Sequence, residues 1–133
     1  MYYFAYGSNL SRQQMLGRCP DARPKGTATL PNYRLIFAGW SRKWGGAVAS
    51  IRPHRGDRVP GAVYEISDRC LRVLDRHEGY PGTYEHLNVI VFTGLGEPIE
   101  AVTYVLVEQS EERKPSQDYL ATIQQGYKDW ELV

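Results

Sequence analysis

The stretch Phe4-Ala5-Tyr6-Gly7-Ser8-Asn9-Leu10 constrains this chain most, because it must hold the end of a strand, a turn and the start of a helix within a few residues. Tyr2 to Tyr6 are aromatic and apolar, as a buried strand requires, and Gly7 permits the sharp turn that follows. Ser11 and Gln14 have the spacing of a capping box ahead of Met15 and Leu16, so a short helix is expected, stopped by Gly17. Backbone N–H groups from Gly7 to Leu10 therefore gather just past the strand, in front of a helix N-terminus. Such a nest holds a carboxylate, a phosphate or a developing oxyanion without a charged side chain. The same Gly-Ser-Asn turn is also ordinary loop chemistry. P-loop spacing, G-x-G-x-x-G and G-x-S-x-G are all absent, which disfavours nucleotide phosphates and a serine-nucleophile elbow.

With 133 residues, 42% of them hydrophobic, the chain is expected to form one domain, 1–133, around one core. A net charge of +1, with basic and acidic residues interleaved, offers no field for a nucleic-acid backbone. No apolar run reaches membrane-spanning length and nothing reads as a signal peptide, so a cytoplasmic protein with neither nucleic-acid nor membrane partners is expected. Cys19 and Cys70 lack C-x-x-C spacing and are expected to be reduced core thiols. His54, His77 and His86 show no metal-ligand spacing, so no metal site is expected.

Further along, turn residues divide the chain into short strands. Gly26 to Leu30 reads as a strand ended by Pro31-Asn32, followed by a strand from Tyr33 to Ala38 and a loop from Gly39 to Gly46. Trp40 and Trp44 in that loop are either a core plug or the wall of a ligand pocket. Ala47 to Arg52 and Arg58 to Ile66 read as strands around a basic turn at Pro53 to Asp57. Thr83 to Phe92 and Ile99 to Val107 read as a hairpin, and Glu108 to Lys114 as a charged loop. Ser116 caps a last helix with Tyr119, Ile123 and Tyr127 on one face. The result is an α+β chain: a small, mixed, curled sheet or partly closed β-barrel flanked by about three helices.

The middle helix carries the most informative residue. Ser67 caps it, Asp68 suits its first turn and Gly79 stops it. Leu71, Leu74 and Glu78 then share one stripe, which puts a carboxylate at a core-facing position in the last turn. Burial and the negative helix end both raise its pKa, as a proton shuttle near neutral pH requires.

The stretch Phe4 to Leu10 resembles the signature of the γ-glutamylcyclotransferases and their relatives. Trp44-Gly45-Gly46-Ala47-Val48-Ala49-Ser50-Ile51 and Gly56 to Tyr64 are similar to two of that family's strands. Leu74-Asp75-Arg76-His77-Glu78-Gly79 is similar to the segment with its catalytic glutamate, and Pro115-Ser116-Gln117-Asp118-Tyr119 to its late Pro-Ser-x-x-Tyr element. The resemblance implies an acyltransferase- or lyase-type cyclisation without a covalent enzyme nucleophile. The α-amine of a γ-glutamyl compound attacks its own γ-carbonyl, giving 5-oxoproline and a free amine or amino acid. Attack within one molecule leaves the protein to fold the substrate, move a proton and stabilise an oxyanion.

By this resemblance Glu78 is the general base and acid, and Tyr6, Gly7, Ser8, Asn9, Leu10, Tyr84 and Tyr119 bind the γ-glutamyl substrate, with no cofactor and no metal. The opening motif is closer to the enzymes acting on γ-glutamyl amino acids or amines than to those acting on glutathione. The alternative is a non-catalytic module that binds carboxylate-bearing metabolites on the same fold. A hydrolase using Ser8 with His77 or His86 lacks any readable Ser-His-acid pattern.

Overall fold

The computed structural model describes residues 1–108 and 111–132. Residues 109 and 110 of the expected 108–114 loop lie outside the described residues. The chain runs β1 (Tyr2–Ala5), a 3-10 turn (Ser8–Leu10), α1 (Arg12–Arg18), β2 (Arg23–Ser41), β3 (Gly46–Glu65), α2 (Asp68–Glu78), β4 (Tyr84–Phe92), β5 (Pro98–Leu106) and α3 (Gln117–Asp129). The strands close a barrel in the order β1-β3-β2-β4-β5, with three α-helices attached, as the sequence pattern implied. Neighbouring strands are antiparallel except where β5 meets β1 in parallel, Tyr3 opposite Val102.

Two elements are longer than the turn residues implied. Pro31-Asn32 and Pro53 to Asp57 do not end strands; they lie within β2 and β3. Pro31 faces Arg58 and Tyr33 faces Pro53, so residues 54–57 bulge out opposite Asn32. Asn32 adopts φ 64 and its side-chain oxygen accepts from the Gly56 N–H at 3.1 Å. Breaker residues here make a bulge that bends a continuous ribbon, a use that local sequence does not distinguish from a strand end. The Gly39 to Gly46 segment tightens into the hairpin connecting β2 to β3, closed by the Gly45 N–H on the Ser41 carbonyl at 2.8 Å.

All three expected serine caps are present: Ser11, Ser67 and Ser116 each accept from the backbone N–H three residues on. Gly79 ends α2 at φ 71, but Gly17 does not end α1, which continues to Arg18 and is capped at Cys19. Cys19 and Cys70 are not free thiols. They form a disulfide across Cα atoms 5.4 Å apart, tying the end of α1 to the first turn of α2. At a sequence separation of 51, only the packing of the two helices brings them together, and spacing alone carries no trace of it.

Phe4, Ile36, Ile51, Val59, Val63, Tyr64 and Val91 are buried in the core. The buried Thr103 hydroxyl donates to the Phe4 carbonyl at 2.7 Å, and Trp130 Nε1 to the Leu10 carbonyl at 2.9 Å. No buried side-chain nitrogen or oxygen among the described residues lacks a partner. No helix among them is long and apolar enough to cross a membrane.

The 3-10 turn after β1 is pinned between α1 and α3, and Gly126 allows the approach. A Cβ there would lie 2.4 Å from Leu10 Cβ. Gly17 has open space around it. In chemical denaturation, Gly17→Ala should therefore stabilise the protein by up to about 1 kcal/mol. Gly126→Ala should instead cost about 1–3 kcal/mol by overpacking. Equal effects at the two positions would contradict this packing.

Candidate active site

The site begins where β1 ends. The Leu10 N–H donates to the Gly7 carbonyl and the Ser11 N–H to the Ser8 carbonyl, each at 3.0 Å. The N–H groups of Ser8 and Asn9 open this turn, where no earlier carbonyl of the turn can receive them. Gly7, Ser8 and Asn9 line a cavity of about 310 Å³, together with Tyr6. That volume falls within the ~300–1,000 Å³ typical of small-molecule sites. Leu10 does not line it; its side chain is fully buried beneath α3.

Asn9 organises the floor. Its Oδ1 accepts from Gln14 Nε2 and from the Arg18 guanidinium, both at 3.1 Å. Gln14 Nε2 also donates to Ser8 Oγ at 2.7 Å, so its side chain serves this turn in place of the reciprocal half of a capping box. The hydrogen-bond network then orients the Asn9 amide nitrogen toward the Tyr3 hydroxyl at 3.0 Å and Glu78 Oε1 at 3.5 Å. The Tyr64 hydroxyl holds the Asn9 carbonyl at 3.1 Å. Gln14 and Arg18 are four apart on α1 and face the site together.

Glu78 stands opposite this floor, in the last turn of α2, and lines the same cavity. Leu74 on its stripe is completely buried, and the Glu78 side chain keeps 19% exposure. Arg18 lies 3.9 Å from Glu78 Oε1, a longer approach than a direct charge-assisted hydrogen bond. Burial pushes the carboxyl up to about 7, against the opposing pull of Arg18 and Lys43. Lys43 is itself pushed down, first by burial and then by Arg18, so these cations and Glu78 share one field.

Aromatic residues supply the walls. Tyr84 donates to the Ala49 carbonyl at 2.7 Å, and Tyr119 accepts the Ala49 N–H at 2.8 Å. A hydroxyl that accepts keeps its own proton for another partner, so Tyr119 remains suited to donate into the cavity. Tyr6 donates to the Tyr104 carbonyl at 2.6 Å. Burial raises the pKa of Tyr6, Tyr84 and Tyr119, so all three stay neutral at physiological pH. Trp44 packs edge-on against Tyr119, ring centroids 5.0 Å apart, while Trp40 is 62% exposed at the mouth. The two tryptophans thus form wall and rim, and neither is a core plug.

Tyr3, Arg18, Lys43 and Tyr104 also line the cavity and do not stand out in the sequence. The four-residue step from Gln14 to Arg18 is a signal for one of them. His77 lines the mouth, but His86 does not line the cavity; its Nε2 lies 2.6 Å from Asp75 Oδ1. Ser8 is held by Gln14, so no serine–histidine couple forms with either. Among the described residues no three His, Cys, Asp or Glu side chains gather as metal ligands. The arrangement is a carboxyl raised to about 7 in the same small cavity as the Gly7–Asn9 turn, a pairing that can move a proton and receive an oxyanion.

Comparison with known proteins gives a consistent neighbourhood. A family described as Gamma-glutamyl cyclotransferase, AIG2-like matches residues 3–130. The γ-glutamylcyclotransferase of Homo sapiens is 34% identical over 132 residues, covering 96% of this chain and 70% of that protein. A γ-glutamylaminecyclotransferase of Bos taurus is 40% identical over 79 residues, covering 57% of this chain and 44% of that one. A solved γ-glutamyl cyclotransferase superposes with a TM-score of 0.94 at 33% identity, covering 99% of this chain and 80% of the other.

The raised Glu78 pKa has a direct thermodynamic consequence. Between the ordinary carboxyl range and about 7 the folded protein binds a proton that the unfolded chain has released, so this group's contribution to stability falls as pH rises across that window. Glu78→Gln should remove that slope and leave the variant more stable than the parent above pH ~7, by at most about 3 kcal/mol. Thermal unfolding across pH reads this directly. Parallel pH profiles for parent and variant would contradict a buried, titrating Glu78.

Proposed function

This chain belongs to the γ-glutamyl cyclotransferase, AIG2-like family, and on that footing we propose that it cyclises γ-glutamyl compounds to 5-oxoproline, with Glu78 as general base and acid. The observation that carries the reading is the placement of the Glu78 carboxyl, raised to about 7, in the same cavity as the Gly7–Asn9 turn. A γ-glutamyl substrate lies between them. Glu78 takes a proton from the α-ammonium, and the freed amine attacks the γ-carbonyl. The C–N bond to the leaving group breaks as the lactam closes: Glu78 gives its proton to the departing nitrogen, then takes the second proton from the ring nitrogen and passes it to the released amine, which leaves as an ammonium. The amides of Ser8 and Asn9 and the hydroxyl of Tyr119 stabilise charge on the γ-oxygen as it develops.

The charge of the lining supports a leaving group that is itself an amino acid. Arg18, Arg42, Lys43 and Arg76 line the cavity with Glu78 as their single acidic companion. The α-carboxylate of the γ-glutamyl part accounts for some of this positive field, and a second carboxylate on the leaving group uses the rest. A neutral amine leaving group has no such use for it.

Incubation with γ-glutamyl amino acids, γ-glutamyl amines and glutathione, with 5-oxoproline read by mass spectrometry, tests the reaction and the leaving group together. Turnover should be fastest with the γ-glutamyl amino acids. Their kcat/KM should rise with pH through about 7 as Glu78 loses its proton. Glu78→Gln should fold, keep substrate affinity and lose roughly a hundred- to ten-thousand-fold in kcat, together with that acid limb. Near-normal turnover by folded Glu78→Gln would overturn the assignment.

A further inference from the structure

Glu78 is only as useful as the precision with which α2 presents it, and the groups that fix this helix end converge on Asp75. Asp75 lies three residues before Glu78 and outside the cavity lining. Its carbonyl accepts the Gly79 N–H that caps α2 and the Tyr80 N–H at 2.9 Å. Its side-chain Oδ1 accepts from the Tyr104 hydroxyl on β5 and meets His86 Nε2 on β4, both at 2.6 Å. One residue thus closes the helix around Glu78 through its main chain and fastens that turn to two barrel strands through its carboxylate.

Both partners lead back to the site. Tyr104 lines the cavity, packs edge-on against Tyr3 and Tyr84 at centroid distances of 5.9 and 6.3 Å, and receives the Tyr6 hydroxyl on its carbonyl. The ring of Tyr80, two residues past Glu78, lies flat on His86 with centroids 3.9 Å apart. The helix end carrying Glu78 and the aromatic wall facing the substrate are therefore referenced to one carboxylate oxygen.

We propose that Asp75 is a positioning residue for the cyclisation: by holding Tyr104 and His86 on one oxygen it sets where the Glu78 carboxyl stands over the Gly7–Asn9 turn. The inference rests on the cyclotransferase reading above. Its physical ground is that a base displaced by about 1 Å from its near-attack position loses on the order of a hundredfold in rate, whereas substrate affinity follows the rest of the cavity. A carboxylate gives two short bonds that an amide oxygen makes more weakly and alanine not at all.

The test measures kcat and KM for L-γ-glutamyl-L-alanine, with thermal unfolding of each preparation, in the parent, Asp75→Ala, Asp75→Asn, Tyr104→Phe and Glu78→Gln proteins and the Asp75→Ala/Glu78→Gln double variant. Asp75→Ala should lower kcat about 10- to 100-fold with little change in KM, and Asp75→Asn should recover part of the loss. In the Glu78→Gln background the same substitution should cost less than about twofold, because the group being positioned is gone. Should Asp75→Ala fail to fold, Asp75→Asn and Tyr104→Phe, each with and without Glu78→Gln, make the same comparison. Parental kcat in the folded variants, a loss confined to KM, or an equal loss with and without Glu78 would overturn the proposal. An active parent with unaffected variants overturns this inference alone, and a parent that releases no 5-oxoproline overturns the cyclotransferase reading and this one with it.

Discussion

Closure of the barrel at β1 is the constraint from which the site follows. Four residues, Tyr2–Ala5, pair along β3 on one side and meet β5 in parallel at Tyr3 on the other. A strand this short, held on both edges, delivers the chain to a fixed point. What emerges there is the Ser8–Leu10 turn, which has no freedom to wander because Gly126 of α3 and Trp130, which caps that helix, are pressed against it. The amides that would otherwise be mobile loop donors are thus preorganised, and preorganised dipoles avoid the reorganisation that flexible ones would need as charge develops. Gly61 makes the close pairing possible on the β3 edge. A Cβ there would lie 2.4 Å from the Ala5 carbonyl oxygen and inside the Phe4 ring contact.

The proposed proton-transfer half of the site has a different physical origin. Glu78 owes its raised pKa first to burial, and α2 buries it because Leu74 on the same stripe is seated in the core. Arg18 and Lys43 oppose burial without cancelling it. A direct Arg18–Glu78 contact would favour the ionised carboxylate; instead Arg18 spends its short bond on Asn9 Oδ1 and stands back from Glu78 at 3.9 Å. The balance leaves a carboxyl that can both take and give a proton near neutrality, as a single-residue shuttle must.

The local parts of this account were readable from sequence because they depend on neighbours in the chain. The serine caps, the Gly79 stop, the β4–β5 hairpin and the core-facing stripe that ends in Glu78 all obey short-range rules. What could not be read depends on contacts made by the folded barrel. The Cys19–Cys70 disulfide joins helices that meet only after closure, and Pro31-Asn32 and residues 53–57 look like strand ends until the opposite strand is in register. Of the cavity lining, the Gly7–Asn9 turn, Glu78, Tyr6, Tyr84 and Tyr119 are residues the sequence singles out, whereas Arg18 and Lys43 look like solvated surface charge until α1 and the β2–β3 hairpin are placed beside Glu78. Leu10 belongs to the motif as sequence and to the core as structure.

The central claim is geometric: one small molecule must touch the Glu78 carboxyl and the Gly7–Asn9 turn at once. A crystal structure of the protein with 5-oxoproline bound tests it most directly. The account predicts the lactam in this cavity, its ring nitrogen within hydrogen-bond distance of Glu78 and its ring oxygen facing the amides of Ser8 and Asn9. A product bound elsewhere, or bound here with Glu78 turned away from the lactam nitrogen, would contradict it.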